Sequence, residues 1–124
     1  MEIDKITVCL LAAGQGRRAG GPKAWRIHEG ETLLERQIKF LLTIFKPQNI
    51  FVSIQRDWID RCLGIARDIH WVAVDPDQSV LASLIALLHS KRQDGWVFIY
   101  HVDMPLWRAD LFEILCSEFD LDVE

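Results

Sequence analysis

Four short runs of apolar, mostly β-branched or aromatic residues punctuate the chain: Lys5 to Leu11 (KITVCLL), Ile50 to Ile54 (IFVSI), Trp71 to Val74 (WVAV) and Trp96 to Tyr100 (WVFIY). Runs of this length without polar alternation predict strands buried on both faces. Between them the pattern changes to a helical period. Leu34, Ile38, Leu41, Leu42 and Phe45 share one face, and Thr32-Leu33-Leu34-Glu35 offers a capping box at its start. A second helix is predicted from about Asp57 to Ala66, with Ile59, Cys62, Leu63 and Ala66 inward. The third, about Ser79 to His89, is apolar nearly all round, so it should be the most buried. A fourth follows Pro105, with Leu111, Ile114, Leu115 and Phe119 on one side.

Strands that alternate with helices imply a mainly parallel sheet covered on both faces through right-handed crossovers. The expected fold is α/β, a Rossmann-like three-layer α/β/α arrangement with strand order 3-2-1-4, in one domain over residues 1–124. Ligands of such sheets sit beyond the carboxyl ends of the strands, where the order reverses. Here that point lies between the first and fourth strands, and it would bring Ala12 to Lys23 beside His101 to Pro105.

Composition narrows the classes. The chain has 124 residues, half of them hydrophobic and 26% charged, which suits one globular core and excludes a disordered or fibrous chain. Its longest apolar stretches, around Val80 to Leu88 and Trp96 to Tyr100, fall far short of the ~20 residues that span a bilayer. Asp4 and Lys5 lead straight into the first strand, without the pattern of a secretory leader. Cys9, Cys62 and Cys116 lie in apolar runs without metal-ligand spacing, and read as buried, reduced thiols of a cytoplasmic protein. His28, His70, His89 and His101 include no i, i+4 pair, which gives no zinc site.

A net charge of −4 gives no global attraction to nucleic acid. The local balance differs. No carboxylate occurs from Ile6 to His28, while Arg17, Arg18, Lys23 and Arg26 fall within ten residues. On charge alone, an anion site and a solvated basic loop account for this equally well.

The loop after the first strand reads Leu11-Ala12-Ala13-Gly14-Gln15-Gly16-Arg17-Arg18-Ala19-Gly20-Gly21-Pro22-Lys23. Small residues and glycines let backbone N–H groups approach a polyphosphate closely. A Walker loop is excluded, because Pro22 precedes Lys23 and Ala24 follows it. The dinucleotide pattern matches at Gly14, Gly16 and Ala19, but the helix it requires would run into Gly20-Gly21-Pro22.

The whole string resembles the signature L-A-A-G-x-G-x-R-x-G-x-x-K of the MobA-like NTP transferases, which include molybdenum cofactor cytidylyltransferases and molybdopterin-guanine dinucleotide synthases. The fourth strand ends His101-Val102-Asp103-Met104-Pro105, similar to that family's Asp-Met-Pro metal motif. A weaker echo is Val80-Leu81-Ala82-Ser83-Leu84, where the family reads base and ribose; Ser79 stands where the family usually has glycine.

The resemblance implies that Leu11, Ala12, Ala13, Gly14 and Gly16 line the nucleotide, their loop amides holding base edge and phosphates. Arg18 and Lys23 would neutralise the triphosphate, Ser83 would lie at the base and ribose, and Asp103 would ligate Mg²⁺. An aspartate at a strand end also serves as a turn or cap residue, and His101 would share a strand face with Asp103. The implied reaction moves a nucleoside monophosphate from an NTP to a phosphorylated acceptor such as molybdopterin and releases pyrophosphate. Leu-Ala-Ala-Gly is the form typical of the cytidylyl-transferring branch, so CTP is expected over GTP.

The resemblance covers essentially the whole chain but only the first part of the family's domain, so the chain is expected to be truncated relative to the family. Two functional classes follow: an enzyme whose missing wall comes from a second chain, and a homologue or subunit that binds NTP without turnover. With order 3-2-1-4 the fourth strand becomes an edge although its sequence suits a sheet interior, which predicts a homodimer or hetero-complex.

Overall fold

Residues 6–14, 22–75, 79–90 and 96–102 are described by the structure, a computed structural model. The expected helix after Pro105, and Cys116 within it, lie outside the described residues.

All four expected strands form. β1 (Ile6–Leu11), β4 (Ile50–Gln55), β5 (His70–Val74) and β6 (Trp96–His101) make one sheet in the order β5-β4-β1-β6, and every pairing is parallel. Counted in sequence among these four, the order is 3-2-1-4. β1 and β4 are central and buried along their whole length, as their uninterrupted apolar runs require.

Side chains alternate across a strand, so each strand feeds two cores. Ile6, Val8 and Leu10 of β1, with Ile50, Val52 and Ile54 of β4, face the helix α1 (Leu33–Leu42) and its buried Leu34, Ile38 and Leu41. Cys62 of α2 (Ile59–Leu63) joins the same cluster. Cys9, Leu11 and Phe51 face the other way and pack with Leu87 of α3 (Val80–Ser90). Helices thus lie on both faces, in an α/β/α sandwich.

The start of α1 follows its sequence closely. Thr32 Oγ1 accepts from Glu35 N at 3.1 Å and the Glu35 carboxylate accepts from Thr32 N at 3.3 Å, closing the capping box. Leu42 is an exception to the expected face: it is exposed, and Gln37 is buried instead. Position 37 lies three residues from Leu34 and four from Leu41, so the helical period puts it between them on the inward stripe.

Two further expectations need correction. The second helix is shorter than Asp57 to Ala66, because Arg56–Trp58 forms a 3-10 turn before α2. α3 is also less buried than its all-round apolar sequence suggests. Leu87 is fully buried, but Ile85 and Leu88 are exposed, because a helix packed on one side of a sheet hides one stripe only.

A short hairpin precedes α1: β2 (Ile27–His28) pairs antiparallel with β3 (Glu31–Thr32). Its two turn residues, Glu29 (φ 53°) and Gly30 (φ 85°), both have positive φ, as a type I′ turn demands. Leu33 N donates to Arg26 O at 2.8 Å, tying the base of the hairpin to the helix it feeds.

Candidate nucleotide site at the carboxyl ends of β1 and β6

β1 and β6 are neighbours over their full length, from Ile6 opposite Trp96 to Leu11 opposite His101. Their carboxyl ends therefore leave the sheet side by side. Val102 N donates to Leu11 O at 3.0 Å, one step past the last paired residues. This contact joins the beginning of the glycine-rich loop to the residue before Asp103. The two segments that the sequence expectation brought together do converge, up to Gly14 on one side and Val102 on the other.

Leu11 and Ala12 are buried, Ala13 is half-buried and Gly14 is exposed. Ala12 N donates to Ser53 O at 3.1 Å and lies 3.4 Å from Ser53 Oγ, which carries the β1–β4 ladder one residue beyond the strand. Ala13 O accepts from Gln55 Nε2 at 2.9 Å. A side chain added at Gly14 would meet no described residue within 4 Å. Lys23, half-buried, opens the 3-10 turn Lys23–Trp25, and the Arg26 N to Lys23 O bond of 3.2 Å closes that turn.

Ser83 falls in the first turn of α3. Just before it, Ser79 Oγ accepts from Ala82 N at 3.1 Å, the geometry of a helix N-cap, which gives this serine a structural use at the family's glycine position. His101, the last residue of β6, is exposed. Gly16, Arg18 and Asp103 lie outside the described residues.

Buried amides support both halves of the site, and the sequence reading missed them. Gln37 of α1 is completely buried and its Nε2 donates to Val102 O at 2.8 Å. Gln55, at the carboxyl end of β4, holds Ala13 from the opposite side of β1. A buried polar group is retained only where a partner satisfies it, so a glutamine on an apolar helix stripe or closing a buried strand is the signal that could have found them. Beside Gln55, Arg56 Nε lies 3.4 Å from Asp75 Oδ1, an exposed ion pair across the carboxyl ends of β4 and β5.

Among the described residues, two cavities lie away from these strand ends. One, of about 400 Å³, lies between α1 and α2 and is walled by Trp25, Lys39 and Arg61; the other, of about 410 Å³, adjoins His70 and Trp71 of β5. Neither touches residues 11–14 or Val102. Among the described residues no group of three His, Cys, Asp or Glu side chains could hold a metal, and no helix is long and apolar enough to cross a membrane. Cys9 and Cys62 are buried and form no disulfide among the described residues, and burial pushes the Cys62 thiol up to about 12 against the opposing charge of Arg61.

Known proteins of this architecture carry the comparison further. The structure resembles the mannose-1-phosphate geranyltransferase of Thermus thermophilus, with TM-score 0.69 and 18% identity, over 91% of this chain and 37% of that one. It also resembles a CMP:2-keto-3-deoxy-manno-octonic acid synthetase complexed with CTP, with TM-score 0.72 and 15% identity, over 96% of this chain and 48% of that one. A third likeness is to molybdopterin-guanine dinucleotide biosynthesis protein A of Archaeoglobus fulgidus, with TM-score 0.60 and 20% identity, over 94% of this chain and 56% of that one. At such identities these likenesses show a shared fold, and the chain spans 37% to 56% of the length of these proteins. No curated protein matches it significantly. The sequence itself matches the MobA-like NTP transferase domain over residues 8–123, and the chain therefore belongs to that family.

Proposed function

We propose that the chain binds an NTP with Mg²⁺ at the carboxyl ends of β1 and β6 and serves in nucleotidyl transfer to a phosphorylated acceptor such as molybdopterin. The observation that carries this reading is the convergence of Leu11–Gly14 with Val102, held by the 3.0 Å Val102–Leu11 bond, in a chain of a nucleotidyltransferase family. An acceptor phosphate oxygen forms a bond to the α-phosphorus, the bond from that phosphorus to the β-phosphate bridge breaks, and pyrophosphate leaves with the electron pair. The protein's task in such a transfer is alignment and charge neutralisation. Backbone amides of Ala13, Gly14 and Gly16 serve the base edge and phosphates, Arg18 and Lys23 the triphosphate charge, and Ser83 the base and ribose.

The donor set suits magnesium. A single carboxylate, Asp103, following Val102, would hold the ion together with substrate phosphates and water, a combination that Mg²⁺ prefers to an all-protein cage. When bound, it would neutralise charge developing on the phosphate oxygens. CTP is favoured over GTP on the Leu11-Ala12-Ala13-Gly14 sequence, and one fold neighbour is a CTP complex. A cytoplasmic location is proposed with this reading, on the buried Cys9 and Cys62, which form no disulfide among the described residues.

Pyrophosphate release from CTP, Mg²⁺ and a pterin phosphate acceptor tests turnover, and binding without release would assign the chain to NTP-binding homologues. Arg18→Ala and Lys23→Ala are expected to weaken triphosphate binding about tenfold or more each, since each removes a charged hydrogen-bond donor. Asp103→Asn should abolish the Mg²⁺ dependence of binding. Unchanged affinity in all three variants would remove the proposed pocket.

The assembly proposed is a homodimer or hetero-complex through β6, supported by its place at the end of the sheet order, with the exposed Ile99 on it. Light scattering at micromolar concentration, with hydrogen exchange on residues 96–100, decides this: a monomer with fast exchange there rules out a partner strand.

A further inference from the structure

We propose that Gln55 is a positioning residue for the nucleotide: by holding the Ala13 carbonyl on the β4 side, it turns the Gly14 amide toward the cleft between β1 and β6. The inference rests on the nucleotide-binding reading above and deepens it. Three observations carry it. Gln55 is buried at the end of β4, and its Nε2 donates to Ala13 O at 2.9 Å. β4 and β6 flank β1 on opposite sides. Gly14 is exposed, and no described residue lies within 4 Å of a side chain added there.

Peptide planarity supplies the rest. In a trans peptide the carbonyl of one residue and the N–H of the next point in opposite directions. There is no cis peptide in the described chain, so a carbonyl of Ala13 fixed toward β4 sends the Gly14 N–H away from β4, to the side where Val102 leads into Asp103. A glutamine suits this task because its amide is neutral, donates through Nε2 and withstands burial once bonded. The peptide is then oriented before any ligand arrives, and an anionic oxygen meets a fixed donor at no reorganisation cost. Without the donor, the Ala13–Gly14 peptide could rotate its carbonyl into the cleft and repel the same oxygen.

Two substitutions and two probes, Mg·CTP and inorganic tripolyphosphate, test the assignment. Gln55→Met keeps the length and volume of the side chain and removes the donor. It is expected to shift the Gly14 amide resonance and to weaken tripolyphosphate binding about tenfold, the scale of one hydrogen bond to a charged group. Gln55→Glu places a carboxylate against the Ala13 carbonyl and should bind more weakly still at neutral pH. Its affinity should recover as pH falls, because a protonated carboxyl donates to the carbonyl, and the Met variant should show no such recovery. A purely structural role would lower stability in both variants without this pH signature. In the unmutated protein, tripolyphosphate should move the Gly14 amide resonance.

Binding by the parent with both variants unaffected, or a Glu variant without recovery, overturns the assignment and leaves the nucleotide reading standing. A parent that binds neither probe overturns both.

Discussion

The two faces of the sheet are built by the same alternation of side chains, yet among the described residues they differ in depth. On the α1 and α2 face, fifteen described residues form one buried cluster; on the α3 face, four do. The deep face is a core that closes around β1 and β4. On the shallow face the buried residues are bordered by partly buried Val72 and Val97, and the helix above exposes Ile85 and Leu88. Each face nevertheless lends one buried amide to the candidate site. Gln37 reaches Val102 from the deep face, while Gln55 shares the shallow-face side of β4 with Phe51 and Ser53 and reaches Ala13. Structural depth and functional support are thus distributed differently, and a substitution can separate them.

The largest effect should come from the deep core. Leu41→Ala removes a fully buried side chain among packed neighbours, and a loss toward the upper end of about 2–5 kcal/mol is expected. Leu87→Ala, equally inaccessible but set in the small cluster, should lose about 2–3 kcal/mol, because partly exposed neighbours can settle into the space. Urea unfolding of both variants measures the contrast. Equal losses would mean that the shallow face packs as tightly as the deep one.

Much of this division was legible in the sequence, and the exceptions have physical causes. The strands announced themselves because a parallel sheet covered on both faces needs unbroken apolar runs, as in Ile6 to Leu11 and Ile50 to Ile54. Thr32 and Glu35 marked the start of α1 because a capping box is a local device. The hairpin at Ile27 to Thr32 escaped notice: its strands have two residues each, and Glu29-Gly30 lacks the Asn-Gly or Asp-Gly signature of its turn. α3 misled because an all-round apolar helix has no preferred stripe, so its sequence does not say which residues are covered. At the site, Leu11 to Gly14 and the end of β6 follow from chain order and the crossover rule. Gln37 and Gln55 do not, since their roles depend on partners 65 and 42 residues away.

Gln37 sharpens the comparison at the next level of magnitude. Gln37→Met preserves volume but leaves the Val102 carbonyl without this donor in a closed core, which should cost about 1–3 kcal/mol of stability. Because Val102 leads directly into Asp103, the same variant is expected to weaken Mg²⁺-dependent nucleotide binding more than binding measured without the metal. Thermal unfolding and paired titrations with and without Mg²⁺ check both parts. A large stability loss with both affinities unchanged would confine Gln37 to the core.

The smallest expected effect is a pH dependence seated in the deep face. Burial raises the Cys62 thiol to about 12, although the charge of Arg61 works in the other direction. In the unfolded chain the same thiol titrates near ~8.5, so between these values the unfolded state releases a proton that the folded state keeps. The folded state then binds more protons than the unfolded one, and stability falls as pH rises through this window. Below the unfolded value both states are protonated and the contribution is constant. At pH ~9 the loss from this group is about 0.8 kcal/mol, and it steepens toward about 1.4 kcal/mol per pH unit above that. Other groups of the chain also contribute to the pH dependence, so the total slope is not diagnostic. The difference in slope between the parent and Cys62→Ala isolates this one thiol, because the other groups are common to both proteins. Denaturant midpoints at pH ~7, ~8 and ~9 should therefore converge between parent and variant as pH rises. Parallel lines would mean that Cys62 ionises in the folded chain as readily as in the unfolded one, and that the deep face admits water at α2.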